Sequence, residues 1–177
     1  MSETVKKNQD VVTGEAVTTS FDIIANESEQ ITKSDITIEV SSDIQLTSAN
    51  ADIISTATMA HEPILKGEWV KPGTHIDLIG AFTSDMREAD DFLMSSGSIF
   101  VDSRATTIEH IGELTIPISN GIISKNDIIG DFYDLIPSSK GGRKSNDEIT
   151  IFKNGGGAHL DLMIAKYLIE ISNNSIS

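Results

Sequence analysis

The chain has 177 residues, is 38% hydrophobic and contains no cysteine, enough for one domain with a real core, scarcely two, and without disulfide or thiol chemistry. Its formal charge of −14 repels nucleic-acid backbones and anionic membranes, so neither is an expected partner. No apolar run approaches the roughly 20 residues of a membrane span, and Met1-Ser2-Glu3-Thr4 lacks the basic and apolar regions of a signal peptide, so a cytoplasmic setting is expected.

Residues 1–34 are rich in Thr, Ser, Glu, Gln and Asn, with apolar islands only at Val11-Val12 and Phe21-Asp22-Ile23-Ile24. Such a segment buries little and is expected to be mobile, with the 21–25 island open to use as an edge strand. Ile36-Thr37-Ile38-Glu39-Val40 alternates and is β-branched, which predicts a strand over 36–40. A short turn or helix at 46–50 leads to a second strand near 52–57, and the Pro72-Gly73 turn signal to a third near 74–80. Residues 88–95 read as a helix capped by Ser84 or Asp85, with Arg87-Glu88 a structural pair at its start.

A strand is expected at 98–102, then a helix over 105–111 stopped by Gly112. Asn126 or Asp127 can cap a helix running through Ile128, Phe132 and Leu135 to Pro137. After a polar loop, the last strand lies near 148–153. From Ala158, Leu160, Met163, Ile164, Tyr167, Leu168 and Ile171 form the stripe of an amphipathic helix, expected to be partly uncovered. Strands alternating with helices predict an α/β fold with a parallel, doubly wound, Rossmann-like sheet.

Two strand ends carry the chemical signal. Thr74-His75-Ile76-Asp77-Leu78-Ile79-Gly80-Ala81 breaks from β-branched residues into small ones, and Phe152-Lys153-Asn154 runs into Gly155-Gly156-Gly157. Ligands of α/β proteins sit at the carboxyl ends of parallel strands, where small residues allow close approach, so a nucleotide-type site is expected there. No Gly-x-Gly-x-x-Gly occurs in the sequence, so the usual diphosphate cradle is not encoded in these residues. His61, His75, His110 and His159 are dispersed and give no metal-binding pattern.

A longer series of segments follows in order: Ala51-Asp52-Ile53-Ile54-Ser55-Thr56-Ala57-Thr58, Pro63-Ile64-Leu65, Lys71-Pro72-Gly73-Thr74-His75 and Arg87-Glu88-Ala89-Asp90. Val101-Asp102-Ser103, Gly112-Glu113, Gly142-Arg143, Glu148-Ile149-Thr150-Ile151-Phe152-Lys153 and Asp161-Leu162 complete it. This series, over residues 35–173, resembles the carboxyl-terminal half of the ornithine cyclodeaminase/μ-crystallin family of NAD(P)-dependent enzymes. The resemblance implies a divergent segment at 1–34 and a partial NAD(P)-binding domain at 35–157. A helix at 158–177 would lead back to a substrate and dimerisation domain. The first glycine-bearing unit and that substrate domain lie outside the match. The family partner would be a small cyclic imino acid or amino acid, in a homodimer.

Ornithine cyclodeaminases carry an aspartate, a proton carrier, two residues after the glycine that matches Gly80; here that position is Phe82. The runs around Gly80 and Asn154 resemble instead the Δ1-pyrroline-2-carboxylate (ketimine) reductase branch. Reduction of a preformed imine needs hydride and positioning more than a base. By resemblance the cofactor-contacting positions are Thr58, Ile76, Asp77, Leu78, Ile79, Gly80, Asn154 and Gly155, with no catalytic side chain assigned. From the residues alone, Thr58 serves equally well as a hydroxyl capping the next turn. Two readings stand beside reductase: ornithine cyclodeaminase, and an inactive remnant or a subunit completed by a separately encoded N-terminal half.

Overall fold

The β-branched runs pair side by side in parallel. In this computed structural model, which describes residues 9–12, 16–19, 41–138 and 141–175, strands β1 (Gln9–Val12) and β2 (Ala16–Thr19) form an antiparallel hairpin. The expected strand at 36–40 and the 21–25 island lie outside the described residues. The main sheet contains β3 (Ile53–Thr56), β4 (His75–Leu78), β5 (Ser98–Val101), β6 (Ile128–Gly130) and β7 (Thr150–Lys153). Their order is β3-β4-β7-β5-β6, with every neighbouring pair parallel.

Helix α1 (Ile44–Asn50) precedes β3 and is capped by Asp43, which accepts from the Leu46 N–H at 2.9 Å. Helix α2 (Asp91–Ser96) lies between β4 and β5. Helices α3 (Arg104–Thr107) and α4 (Gly112–Ser119) follow β5, α5 (Phe132–Leu135) follows β6, and α6 (Ala158–Ser175) closes the chain. Such crossovers are what parallel strands require.

Register gives the sheet two different faces. Ile54, Ile76, Ile151 and Ile99 stand in one rung, with Thr56, Leu78, Lys153 and Val101 in the next on the same face. That face forms the main core with Leu93 and Met94 of α2 and Leu114 of α4. The opposite face carries Ile53, which is 70% exposed, together with half-buried His75, Asp77 and Phe152. There Phe132 of α5 packs on Phe152 with ring centroids 5.3 Å apart, beside an open depression of about 370 Å³ lined by Ile53, His75, Phe100 and Arg143.

Three expected helices have different bounds. The helix expected at 88 begins at Asp91, because Asp90 rather than Ser84 or Asp85 caps it, accepting from the Leu93 N–H at 2.8 Å. Gly112 does not stop a helix but begins α4; a Cβ there would fall 2.3 Å from the Met86 carbonyl oxygen. Residues 128–130 form β6 instead of continuing a helix from Asn126 or Asp127. Asp127 turns back to accept from the Ser124 N–H at 2.6 Å, and Asp131 starts α5 by accepting from the Tyr133 N–H at 2.9 Å.

Candidate cofactor-binding site

The carboxyl ends of β3, β4, β7 and β5 lie in a row, which brings Thr58, Gly80, Asn154 and Asp102 to one edge of the sheet. The loops leaving β3 and β4 expose apolar side chains there: Met59 is 69% accessible and Phe82 60%, with Ile79 also exposed. Exposed apolar side chains of this kind suit a flat ring better than a charged group.

The eight positions expected to contact a cofactor divide by location. Ile76 and Leu78 are fully buried in the covered face and hold the strand from within. Asp77 points to the opposite face, where burial raises its carboxyl above the ordinary value. Thr58, Ile79, Gly80, Asn154 and Gly155 occupy the edge itself. The Thr58 hydroxyl is engaged within the chain: it donates to Glu88 Oε1 at 2.8 Å and accepts from the Ala60 N–H at 3.3 Å. The Asn154 N–H donates to the Leu78 carbonyl at 3.1 Å, and Asn154 Oδ1 accepts from the Gly156 N–H at 2.8 Å.

The chain's own packing demands glycine at two of these positions. A Cβ on Gly80 would lie 2.1 Å from the Thr58 carbonyl oxygen, and one on Gly155 2.7 Å from Thr107 Cγ2. Gly156 adopts φ +71°, the left-handed region that favours glycine, and faces open space.

Beneath the edge lies a buried polar cluster that the sequence reading passed over. Glu88 is fully buried and its two oxygens accept four hydrogen bonds. Oε1 takes the Thr58 N–H and hydroxyl at 2.7 and 2.8 Å, and Oε2 takes the Thr56 hydroxyl and Gly80 N–H, both at 2.8 Å. Arg87 is not its partner; the guanidinium instead binds the Ala89 carbonyl and Asp91, each at 2.8 Å through Nη2. Glu113, in the first turn of α4, accepts the Glu88 and Ala89 N–H groups at 2.7 and 2.9 Å. Burial pushes Glu113 up to about 7. Lys153, fully buried on β7, donates to the Leu78 carbonyl at 3.0 Å, and burial pushes its ammonium down. The signal for Lys153 was available, since period-two alternation puts it on the same face as Ile151.

Comparison with known proteins gives a coherent set. The model of the ornithine cyclodeaminase/mu-crystallin family matches residues 10–175. A Δ1-pyrroline-2-carboxylate reductase of Paracoccus denitrificans is 58% identical over 130 residues, covering 73% of this chain and 41% of that protein. The solved Thermococcus litoralis Δ1-pyrroline-2-carboxylate reductase, in complex with NADH and L-proline, is 34% identical with a TM-score of 0.62. It covers 64% of this chain and 35% of its own. The iminosuccinate reductase of Paracoccus denitrificans, solved with NAD+, is 30% identical with a TM-score of 0.64, over 74% of this chain and 40% of that one. The chain thus spans about two fifths of the length of the relatives it matches.

Proposed function

The chain belongs to the ornithine cyclodeaminase/mu-crystallin family, and from that premise we propose that it forms the carboxyl-side part of the cofactor domain of an NAD(P)H-dependent cyclic-imine reductase. The proposed conversion is Δ1-pyrroline-2-carboxylate to L-proline. One observation carries the reading: at the edge where the strands end, position 82 holds an exposed phenylalanine and no proton carrier, within a chain that is 58% identical over 130 residues to a reductase of this imine.

The residues present fit the nicotinamide end of a dinucleotide. Ile79-Gly80 leaves β4 at this edge with the Ile79 side chain exposed, and Thr58 and Gly155 border it at the ends of β3 and β7. Asn154, with Oδ1 taken up by Gly156, is proposed to donate its side-chain Nδ2–H to the carboxamide oxygen. A Gly-x-Gly-x-x-Gly diphosphate cradle is not among the 177 residues, and its contribution is assigned to a further segment of the assembled enzyme. When bound, the dihydronicotinamide would supply hydride to the imine carbon, the ring nitrogen already carrying its proton as the iminium, so that no protein acid is needed. The protein's share is to hold the ring and the imine face to face in an apolar mouth built from Met59, Ile79 and Phe82.

The test joins this chain to the amino-terminal part of the Paracoccus denitrificans reductase. NAD(P)H oxidation with Δ1-pyrroline-2-carboxylate, and L-proline as product, are the expected results, with no ammonia released from ornithine. Ammonia and proline from ornithine at ordinary enzymatic rates would replace this reading with cyclodeaminase. Complete inactivity of a folded chimera would favour a remnant.

A further inference from the structure

We infer that Glu88 is a positioning residue for the cofactor edge, a role that rests on the reading of that edge as a nicotinamide site. From behind the sheet it sets the separation and direction of the two chain ends that the ligand meets.

Backbone pairing between β3 and β4 ends at Thr56 and Leu78, with the Ile79 N–H reaching the Thr56 carbonyl at 2.8 Å. Beyond that point the strands no longer bond to each other directly. Glu88 takes over: its carboxyl group gathers the Thr58 N–H from one chain end and the Gly80 N–H from the other, at 2.7 and 2.8 Å. The two ends therefore meet through one rigid planar group. They are as close as backbone permits, since a Cβ on Gly80 would collide with the Thr58 backbone and Glu88 Oε1, all within 2.5 Å.

Glu88 is itself held on both sides. Its N–H donates to Glu113, and its carbonyl accepts the Ile64 and Leu65 N–H groups at 2.9 Å. Lys153 meanwhile pins the Leu78 carbonyl, two residues before Gly80. A site group acts well when its supports lock it within about half an ångström. Burying an ionisable side chain is a poor way to gain stability, because desolvation offsets the bonds it makes. Its placement directly under the ligand edge, with all four side-chain bonds directed at the ends of β3 and β4, is what a positioning role requires.

The full 177-residue chain, titrated with NADH and followed by amide NMR, tests this. Wild type is expected to show NADH-dependent shifts at Thr58, Gly80 and Asn154, with a weak affinity. Glu88→Gln puts an N–H2 where an N–H donor must be accepted, and should weaken that affinity about tenfold, a loss of ~1.4 kcal/mol. Leu93→Ala, a core truncation remote from the edge, should destabilise the fold yet leave the affinity within twofold. Should Glu88→Gln fail to fold, Thr56→Val decides, because it deletes one donor to Glu88 Oε2 outside the contact set; a two- to fivefold loss is expected. Wild type without shifts at the edge overturns the cofactor reading and this role with it. Wild type that titrates while Glu88→Gln and Thr56→Val match Leu93→Ala in affinity overturns the positioning role alone.

Discussion

The two faces of the main sheet share strands and backbone yet differ in finish. One carries a rung of four isoleucines under a helical layer, with Ile76 and Ile151 at 0% exposure. The other carries Ile53, Ser55, His75 and Asp77, and among the described residues α5 packs against it at Phe152. Parallel sheets covered on both sides read as near-continuous apolar runs. Here the alternation is mixed: apolar on the finished face, polar with isolated apolar residues on the other. The stability of the described fold is therefore expected to reside mainly on one side of the strands.

Truncation on the finished face should have the largest effect. Ile151→Ala leaves a cavity among fully buried neighbours and is expected to cost about 4 kcal/mol in urea unfolding; a loss below about 1 kcal/mol would mean the two faces are energetically alike. The next test uses pH. Glu113 sits behind the finished face with its native value raised from 4.5 to about 7, so the folded state holds a proton that the unfolded chain releases. Its contribution is present below pH 4.5 and is lost as pH rises through about 7. Unfolding free energy should fall by about 2 kcal/mol from this group between pH 5.5 and 8, and Glu113→Gln should remove that slope.

Smaller effects are expected toward the open face. Arg104 bridges Asp134 at 2.7 Å and Asp131 at 3.2 Å, tying α3 to α5 at a partly exposed site. Arg104→Ala is expected to cost about 1 kcal/mol, less at high salt, as measured by urea titration with and without added chloride. Ile53→Ala should cost less than about 0.5 kcal/mol, because the side chain already meets solvent. A larger loss at Ile53, measured in the same titration, would show that the open face is covered in solution.

Four strands were legible because β-branched residues fill them and turn signals bound them. β6 was hidden: three residues are too short for a period, and Ile128, Phe132 and Leu135 fall by chance at helical spacing. The start of α2 was read too early because Ser84 and Asp85 have the chemistry of caps, while Asp90 satisfies both Leu93 and Gly67 N–H groups. At the candidate site, resemblance marked positions at and before the strand ends, while the sequence pairs Glu88 with Arg87 at a helix start; in the structure the Arg87 guanidinium binds Ala89 and Asp91 instead. The burial of Glu88 depends on the end of β3, 30 residues away at Thr58, a long-range fact no local pattern records. The glycines at 80 and 155 were legible as close-approach positions, and the structure shows that what approaches first is the chain itself.

The placement of β7 sets the order in which this fold can assemble. The last of the described strands lies in the middle of the sheet, bonded to β4 on one side and β5 on the other, with His75 paired to Thr150 across 75 positions. Until the ribosome has released residue 153, β3-β4 and β5-β6 are two separate ribbons, each with an apolar face and an open edge. Closure must then thread a nascent strand between them, at the loop-closure penalty that makes non-local parallel pairing slow. The described sheet therefore closes only once β7 is available, and the interval before β7 docks is when the two ribbons expose the most apolar surface and open edge.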